Sequence, residues 1–491
     1  MGKRLSNTES FMWSLGQDPN LASTMGMVNI LEAEPDPQRL RATVANLVAS
    51  VERLRLKVSD PLGLGGAMGT LEWVVDDQFD LDHHLRTARI QSDGGPGQEA
   101  SDRSDGPAAD GPELSRMATL FVNDPFDRTR PLWQFQLVTG LADGRAALLG
   151  KFHHSLTDGM GMVRLATHLL EFEPNTPAPQ PVDLDAVFAS DQDDNHHGES
   201  RWRVGAERIV DFLQHAVDDL PTPGKVWDLG GDAITSARAA GLGPHLGRDS
   251  TEATDDRPAP LWMHRSRNRR FATMIESLPA LRDAAHGYEV SVNDLFVGAC
   301  AEAAVRYHHE YDIELDHVRA TVVINVQPEE GASSNPVELG DGDNAFLPVP
   351  IVLPGSSTTA AERLAIIRSE VKAKRALLEG KSGALSALSS LGAFVPPAVA
   401  ANIVLDQAAK VDFATSNVPG SPIPTWFAGR TIEQMFPMGP VTGTAFNITM
   451  LSYNDRCHFG IHIDPAAVTD TDLLVKSIAL SFRELGVDRL G

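Results

Sequence analysis

Residues 151–161 read KFHHSLTDGMG, and they place two adjacent histidines, His153 and His154, at a fixed spacing from Asp158 and Gly159. An imidazole titrates near neutral pH and is the side chain most often used as a general base. Asp158 lies four residues after His154, from where its carboxylate can turn back to orient the imidazole or anchor the loop through an ion pair. Gly159 allows the backbone to turn tightly. The pattern therefore predicts a catalytic histidine.

Three other histidine doublets, at residues 83–84, 196–197 and 308–309, lack this spacing. The first is followed by Leu-Arg-Thr-Ala, the second lies in an acidic loop, and the third ends a predicted helix. We therefore expect surface or packing roles for these doublets. We expect no metal site at residues 153–154.

Hydrophobic periodicity predicts the elements that hold the motif. Residues 132–141 and 145–154 are predicted to form a hairpin that turns at ADG, so the motif lies at the end of a strand. Apolar residues then recur with helical period from 162 to 170, which predicts an amphipathic helix after the motif. Successive side chains of a strand point to opposite faces, so we expect only one of His153 and His154 to enter a shared cavity.

The rest of the chain mixes strand and helix patterns in both halves. The predicted elements are a strand at 26–33, a helix at 35–58 with Asp36 as its N-cap, a helix at 290–311 capped at Ser291 or Asn293, a strand at 318–326, a helix at 358–380, a hairpin at 446–464 and a terminal helix at 469–484.

A chain of 491 residues is too long for one ordinary core, and we expect at least two lobes. We assign residues 1–175 to an N-terminal lobe that carries the histidine motif. Residues 176–260 are rich in Pro, Asp and Gly, with a helical island near 202–220, and are assigned to a crossover linker. Residues 261–491 are assigned to a C-terminal lobe.

Charge and cysteine usage restrict the partners and the compartment. Acidic residues outnumber basic ones by 66 to 42, which argues against a nucleic-acid partner, because neutralising phosphates requires clustered Lys and Arg. Cys300 and Cys457 show no disulfide or zinc-ligand spacing, so a reducing compartment fits best. The N-terminus lacks the apolar region of a signal peptide, and we expect a cytoplasmic protein.

Residues 383–405 carry no charge over about the length of a membrane span. Pro396 and Pro397 interrupt this stretch, which disfavours a true span. Two interpretations stay open: a buried pair of helices broken at the prolines, or an apolar surface that touches lipid.

The sequence also restricts the type of catalysis. It contains no serine-hydrolase elbow, and neither cysteine has a basic partner nearby, so a covalent acyl-enzyme is disfavoured. Direct transfer remains, in which a base deprotonates an acceptor hydroxyl or amine as that group attacks an activated acyl group.

The HHxxxDG pattern resembles the signature of the coenzyme A-dependent acyltransferase superfamily, which includes chloramphenicol acetyltransferase, carnitine acyltransferases and nonribosomal-peptide condensation domains. The resemblance runs from about Leu5 to Leu485. Further stretches are similar to the bacterial wax ester synthase/diacylglycerol acyltransferases: DRTRPLW (127–133), VNDLF (292–296), SNVPG (416–420) and LSYNDRCHFGIHID (451–464).

This resemblance implies an α/β, two-lobed chloramphenicol acetyltransferase-like fold, in which each lobe is a mixed sheet with flanking helices and an active-site tunnel runs between the lobes. It implies that His154 is the general base, that Asp158 orients it, and that His153 supports it. The implied reaction is O-acyl transfer from a long-chain acyl-coenzyme A, as co-substrate, to the hydroxyl of diacylglycerol or a fatty alcohol. Neither a cofactor nor a metal is implied.

Two further pairs of residues match family motifs. Asn293 and Asp294 match a pair regarded as important to activity, although a helix N-cap explains them equally well. Ser416 and Asn417 are candidates to donate hydrogen bonds near the developing oxyanion, although the adjoining VPGS letters also fit a type II turn.

Alternative functions stay open at this stage. They are an acyltransferase for another acceptor, such as an amine or a polyketide hydroxyl, and a lipid-binding protein without catalysis. For the reaction that the resemblance implies, we expect acyl-coenzyme A and a lipid alcohol acceptor as partners, with peripheral contact at the inner membrane or a lipid droplet.

Overall fold

The structure of the protein is a computed structural model that describes residues 3–18, 21, 23–60, 71–90, 111–157, 159–195, 257–325, 346–379, 408–440 and 443–487. Two six-stranded mixed sheets with flanking helices form two lobes, and a three-stranded sheet, in the order β1-β4-β3, accompanies the first. The strands are β1 (Lys3–Arg4), β2 (Thr24–Leu31), β3 (Leu56–Ser59), β4 (Glu72–Val75), β5 (Leu85–Arg89), β6 (Trp133–Thr139), β7 (Ala146–His153), β8 (Arg270–Ser277), β9 (His317–Asn325), β10 (Phe346–Pro354), β11 (Phe413–Val418), β12 (Trp426–Phe427), β13 (Arg430–Met438), β14 (Phe446–Tyr453) and β15 (Arg456–Ile463).

The helices surround these sheets. They are α1 (Asn7–Leu15), α2 (Pro37–Ser50), α3 (Leu81–His84), α4 (Gly111–Asn123), α5 (Gly159–Leu169), α6 (Leu184–Asn195), α7 (Leu278–Gly287), α8 (Val292–His309), α9 (Ala360–Glu379) and α10 (Thr471–Glu484).

The N-terminal sheet has the strand order β12-β13-β2-β7-β6-β5, so β7 lies near its centre. Every residue of β7 is buried. Leu148 packs into the main core of the N-terminal lobe, whereas Leu149 packs into a separate cluster on the other face. A strand with core on both faces needs a continuous apolar run, and AALLG supplies one.

The C-terminal sheet has the order β10-β9-β11-β14-β15-β8. Helix α8 lies against it and is buried along most of its length, which makes it the central element of the C-terminal core. The second cluster on the N-terminal sheet also contains Phe271 and Ile275 of β8, together with Phe121 of α4. The two lobes therefore share a hydrophobic contact in which α4 and β8 take part.

Residues 426–438 leave the C-terminal sheet and join the N-terminal one. Strand β13 pairs antiparallel with β2, with Phe436 opposite Val28. The turn before β13 is held by Glu171, whose carboxylate accepts hydrogen bonds from the Gly429 amide (3.2 Å) and from Arg39 (2.8 Å). Gly429 has φ +75°, a conformation that favours glycine. This exchange of strands was not expected from the sequence, and it adds a C-terminal segment to the lobe assigned to residues 1–175.

Most of the predicted elements are confirmed, with one clear exception. The helix predicted at 35–58 begins as expected at Pro37, and the Asp36 side chain accepts from the Arg39 amide, but the helix ends at Ser50. The Arg55 guanidinium turns back and donates to the carbonyls of Val48 and Ala49 (2.7 and 2.8 Å). These carbonyls lie in the last turn, where no helical partner is available, so the arginine completes the end of the helix.

Several predictions fall outside the described residues. They concern the helical island near 202–220 and the uncharged stretch at 383–405. Within the predicted linker, α6 is described, and it is held to the N-terminal lobe by an ion pair between Arg55 and Asp191 (2.6 Å). Across the described ranges, no helix is both long enough and apolar enough to cross a membrane.

Candidate active site

The β6–β7 hairpin brings the histidine motif to the end of a central strand, as predicted. The last ladder contact is the His153 amide, which donates to the Leu132 carbonyl (3.0 Å). Strand β7 ends at His153, and His154 lies in the turn directly after it, where its amide donates to the Ser23 carbonyl (2.8 Å). Since His154 is not part of the strand, the turn sets its direction rather than strand alternation.

His153 is held in one orientation and one protonation state. Its Nδ1 accepts from the Ser155 amide (3.1 Å) and lies 2.7 Å from the Ser155 Oγ. A backbone amide can only donate, so the ring is neutral with its proton on Nε2. The residue is 4% exposed, and burial lowers its pKa to about 3, with the charge of Arg128 as a smaller cause. An imidazole with this pKa is a poor base at neutral pH.

Aromatic and cationic side chains enclose the His153 ring. Trp13 and Phe126 present edge contacts, with ring centroids 6.3 and 6.2 Å away. The guanidinium of Arg128 lies 4.3 Å from the Trp13 ring and donates to the Trp13 carbonyl (3.1 Å). Burial lowers the pKa of Arg128 to about 10, so the side chain remains a cation at neutral pH and opposes protonation of His153.

The structure describes only some features of the other motif residues, His154, Asp158 and Gly159. His154 is half-buried. Asp158 lies outside the described residues, so its role in orienting His154 stays a prediction. Gly159 is the first residue of α5, as expected for the turn from the strand into the helix.

Asn293 and Asp294 lie in the first turn of α8, in the C-terminal lobe. The helix is capped by Ser291 rather than Asn293. The Asp294 carboxylate accepts from the Ser291 amide (3.0 Å) and hydroxyl (2.7 Å), and the Asp294 amide donates back to the Ser291 hydroxyl (3.1 Å). This reciprocal capping box gives Asp294 a structural role. A role for either residue in activity stays a prediction.

Ser416 and Asn417 occupy β11, where alternation separates them. Val418 packs against the core of the N-terminal lobe, and Ser416, two residues earlier, shares its face. Asn417 is exposed. Gly420, just beyond the strand, does not have the positive φ of a type II turn. Glycine is needed there because an added Cβ would lie 2.1 Å from the Ser452 carbonyl oxygen.

Strand registers show which side of the C-terminal sheet Ser416 occupies. Ser416 lies opposite Thr449 of β14, and a Cβ added to Gly439, directly after β13, would lie 2.5 Å from Thr449 Oγ1. Strand β13 pairs with β2, and β2 pairs with β7 so that Thr24 lies opposite His153. Ser416 therefore lies on the face of β11 that packs towards the N-terminal lobe, whereas Asp294 lies in a helix cap.

Sequence reasoning missed five residues that surround His153: Trp13, Gly16, Phe126, Arg128 and Ser155. Arg128 belongs to the DRTRPLW stretch and Ser155 to the motif itself, so both could have been suspected. Trp13 and Gly16 carry no local signal, because their contact with the motif is made through the fold. No group of three or more potential metal ligands gathers within the described part of the chain.

The fold defines the class of protein. The structure superposes on a condensation domain of the calcium-dependent antibiotic synthetase with a TM-score of 0.56 and 15% identity, over 100% of this chain and 97% of that one. It superposes on the wax ester synthase/diacylglycerol acyltransferase from Marinobacter aquaeolei VT8 with a TM-score of 0.60 and 21% identity, over 98% of both chains. The fold is thus the two-lobed, chloramphenicol acetyltransferase-like one.

Sequence comparison identifies the family. Residues 5–296 match the wax ester synthase/diacylglycerol acyltransferase catalytic domain, and residues 343–486 match the C-terminal domain of the same family. A probable diacylglycerol O-acyltransferase of Mycobacterium tuberculosis is 26% identical over 460 residues, which cover 91% of each chain. The chain belongs to the wax ester synthase/diacylglycerol acyltransferase family and is an O-acyltransferase.

Proposed function

We propose that the protein transfers a long-chain acyl group from acyl-coenzyme A directly to the hydroxyl of diacylglycerol, of a fatty alcohol, or of both. Family membership supports the choice of donor and acceptors. Acyl-coenzyme A is the co-substrate, and we propose neither a cofactor nor a metal. The tunnel between the lobes, in which the two substrates would meet, belongs to this proposal.

His154 is the general base of the proposed reaction. It takes the proton of the acceptor hydroxyl as the hydroxyl oxygen bonds to the acyl carbon. The carbon–sulfur bond then breaks, and the protonated imidazole returns the proton to the departing thiolate. Asp158 would orient the imidazole.

The fixed state of His153 is the observation that supports this assignment. Its Nδ1 is engaged by Ser155, its ring is enclosed by aromatic side chains, and its pKa of about 3 disfavours proton uptake. Of the two imidazoles, only His154 lies beyond the strand, in the turn that leads to α5. His153 supports the turn and leaves the proton transfer to its neighbour.

A panel of acceptors tests this function. The full-length protein would be incubated with palmitoyl-coenzyme A and, separately, with a diacylglycerol, hexadecanol, a long-chain amine and a carrier-bound polyketide hydroxyl. We expect ester formation with diacylglycerol, hexadecanol or both, measured by mass spectrometry and by release of free coenzyme A. The His154→Ala variant supplies the background rate.

Other outcomes contradict the proposal in distinct ways. Turnover restricted to the amine or the carrier-bound hydroxyl would identify another acceptor class. Absence of product with acyl donors of every chain length would indicate a lipid-binding protein without catalysis.

We also propose that the protein acts at a lipid surface, on the cytoplasmic side of the inner membrane or on a lipid droplet. The uncharged stretch at 383–405 supports this, because an acceptor such as diacylglycerol resides in lipid. Flotation with liposomes, compared with a variant in which this stretch is made polar, tests the contact. Equal flotation of both proteins would contradict a role for this stretch.

A further inference from the structure

The C-terminus of α1 meets the histidine motif at Gly16. This residue has φ −66° and ψ −1°, a conformation open to every amino acid, so the backbone does not require glycine. The neighbouring atoms, however, do require glycine at this position. A Cβ built on Gly16 would lie 2.4 Å from His153 Nε2 and 3.0 Å from Arg128 Nη2. Because van der Waals contacts between such atoms begin well above 3 Å, a side chain here would displace its neighbours.

Helix α1 is fixed at both ends and cannot readily move away. At its start, Ser6 and Glu9 form a capping box, and Glu9 also pairs with the buried Arg53 (2.5 Å). Near its end, the Trp13 carbonyl accepts from Arg128 (3.1 Å), and the Trp13 ring stacks under the same guanidinium.

The His153 ring is fixed from the other side. Ser155 engages its Nδ1 through two groups, and Phe126 and Trp13 contact its ring. Its Nε2 is buried, faces Gly16 and has no hydrogen-bond partner among the described residues. A displaced ring would therefore shift Ser155 and the turn that begins at His153.

We propose that Gly16 is a positioning residue for the reaction: it leaves the space that the His153 ring needs, and through His153 and Ser155 it sets the turn that presents His154. This inference rests on the proposed function, in which His154 is the base. Gly16 acts through His153 and touches no reacting atom.

The Gly16→Ala variant tests this role by adding a single methyl group. We expect kcat with palmitoyl-coenzyme A and the best acceptor to fall by at least about tenfold, because misplacing a catalytic group by about 1 Å can cost about 100-fold in rate. KM should change little, because a misplaced base lowers the rate of the chemical step rather than the affinity for the substrates. The melting temperature should fall as well, because the methyl group strains the contact.

Gly287→Ala is the matched control. Gly287 is the exposed last residue of α7, and an added Cβ would have no described atom within 4 Å. The same chemical change at a helix end should leave kcat unchanged and leave the melting temperature unchanged or slightly raised, since alanine favours the helix.

A double-mutant cycle with His153→Ala separates positioning from a general structural effect. If the contact with His153 is the cause, Gly16→Ala should lower the melting temperature in the unaltered protein but not in the His153→Ala background. An equal fall in both backgrounds would overturn the proposal, and so would an unaltered kcat in Gly16→Ala. If the unaltered protein turned over no acceptor, the proposed function would fail and this inference with it, whereas a normal rate in Gly16→Ala would contradict this inference alone.

Discussion

Two histidine doublets of the N-terminal lobe, His83–His84 and His153–His154, lie on either side of one short segment. The Trp133 carbonyl lies 2.7 Å from Nδ1 of His84, and the Leu132 carbonyl accepts from the His153 amide. In each doublet one imidazole is buried and its neighbour is partly exposed. Both buried rings are kept neutral, because burial lowers the pKa of His84 to about 4 and that of His153 to about 3.

The doublets differ in the surroundings of the buried ring and in the element to which the exposed ring belongs. His84 is stacked between Phe79 and Trp133, with ring centroids 4.9 and 4.4 Å away, and it ends a one-turn helix that also contains His83. His154 instead lies in the turn between a central strand and α5. Burial and neutrality therefore do not distinguish the two doublets, whereas the position at the end of a central strand does.

The largest expected effect is on the rate. His154→Ala should lower kcat by about 100- to 10,000-fold, the usual contribution of a general base, while the fold is retained. Turnover of the acceptor identified in the panel, with circular dichroism as the control for folding, measures this. A near-normal rate in a folded His154→Ala protein would remove the catalytic difference between the two doublets.

The next effect is a loss of stability at acidic pH, which the buried imidazoles of both doublets should cause. A folded-state pKa of about 4 for His84, against 6.5 for an unperturbed histidine, means that the unfolded chain binds the proton more readily. Above about pH 6.5 the imidazole is neutral in both states, and its burial does not reduce the free energy of unfolding. As the pH falls from 6.5 towards 4, the unfolded chain takes up the proton first, and the free energy of unfolding decreases by up to about 1.4 kcal/mol per pH unit for each such proton. His308, His458 and His462 are buried with similarly lowered pKa values and should add to the loss.

Urea denaturation between about pH 8 and pH 4.5 measures this loss. His84→Leu should reduce the slope of the free energy of unfolding against pH by the equivalent of about one proton, because it removes one group that must stay neutral in the folded state. A free energy of unfolding that does not change between about pH 7 and pH 4.5 would show that these imidazoles are not held neutral.

A smaller effect concerns stability alone. His84→Ala should lower the free energy of unfolding by about 2–4 kcal/mol, because it leaves a cavity between two aromatic rings and an unpaired Trp133 carbonyl. The kcat of the folded variant should stay near that of the unaltered protein. A loss of kcat like that of His154→Ala would show that the first doublet also takes part in the chemistry.

The sequence was sufficient to predict the setting of the proposed catalytic doublet, because the relevant signals are local. An apolar run, the ADG turn and a helical period after Gly159 predict the β6–β7 hairpin and α5. The same holds for the hairpin at 446–464, where Asn454 and Asp455 have the positive φ values of a tight turn.

Long-range pairing could not be predicted in this way. The residues of β13 have the composition of a strand, but nothing in them indicates that they join β2 rather than the sheet of their chain neighbours. The space that Gly16 leaves for His153 is equally invisible, since it depends on how α1 packs against the motif. Such features depend on tertiary contacts between residues far apart in the chain.

The smallest expected effect belongs to the partly exposed member of the first doublet. The His83 ring contacts Gln134 (Nε2 to Nε2, 3.3 Å), and burial and the charges of Arg86 and Arg130 lower its pKa. The few contacts of a partly exposed side chain contribute little, so His83→Ala should change the free energy of unfolding by no more than about 0.5 kcal/mol. Its kcat should stay within about twofold of the unaltered value, because a general base contributes at least about 100-fold and that role is proposed for His154. A large loss of rate in this variant, measured beside His154→Ala, would mean that partial exposure next to a buried imidazole is enough for function, and that the position at the end of β7 is not the feature that distinguishes the doublets.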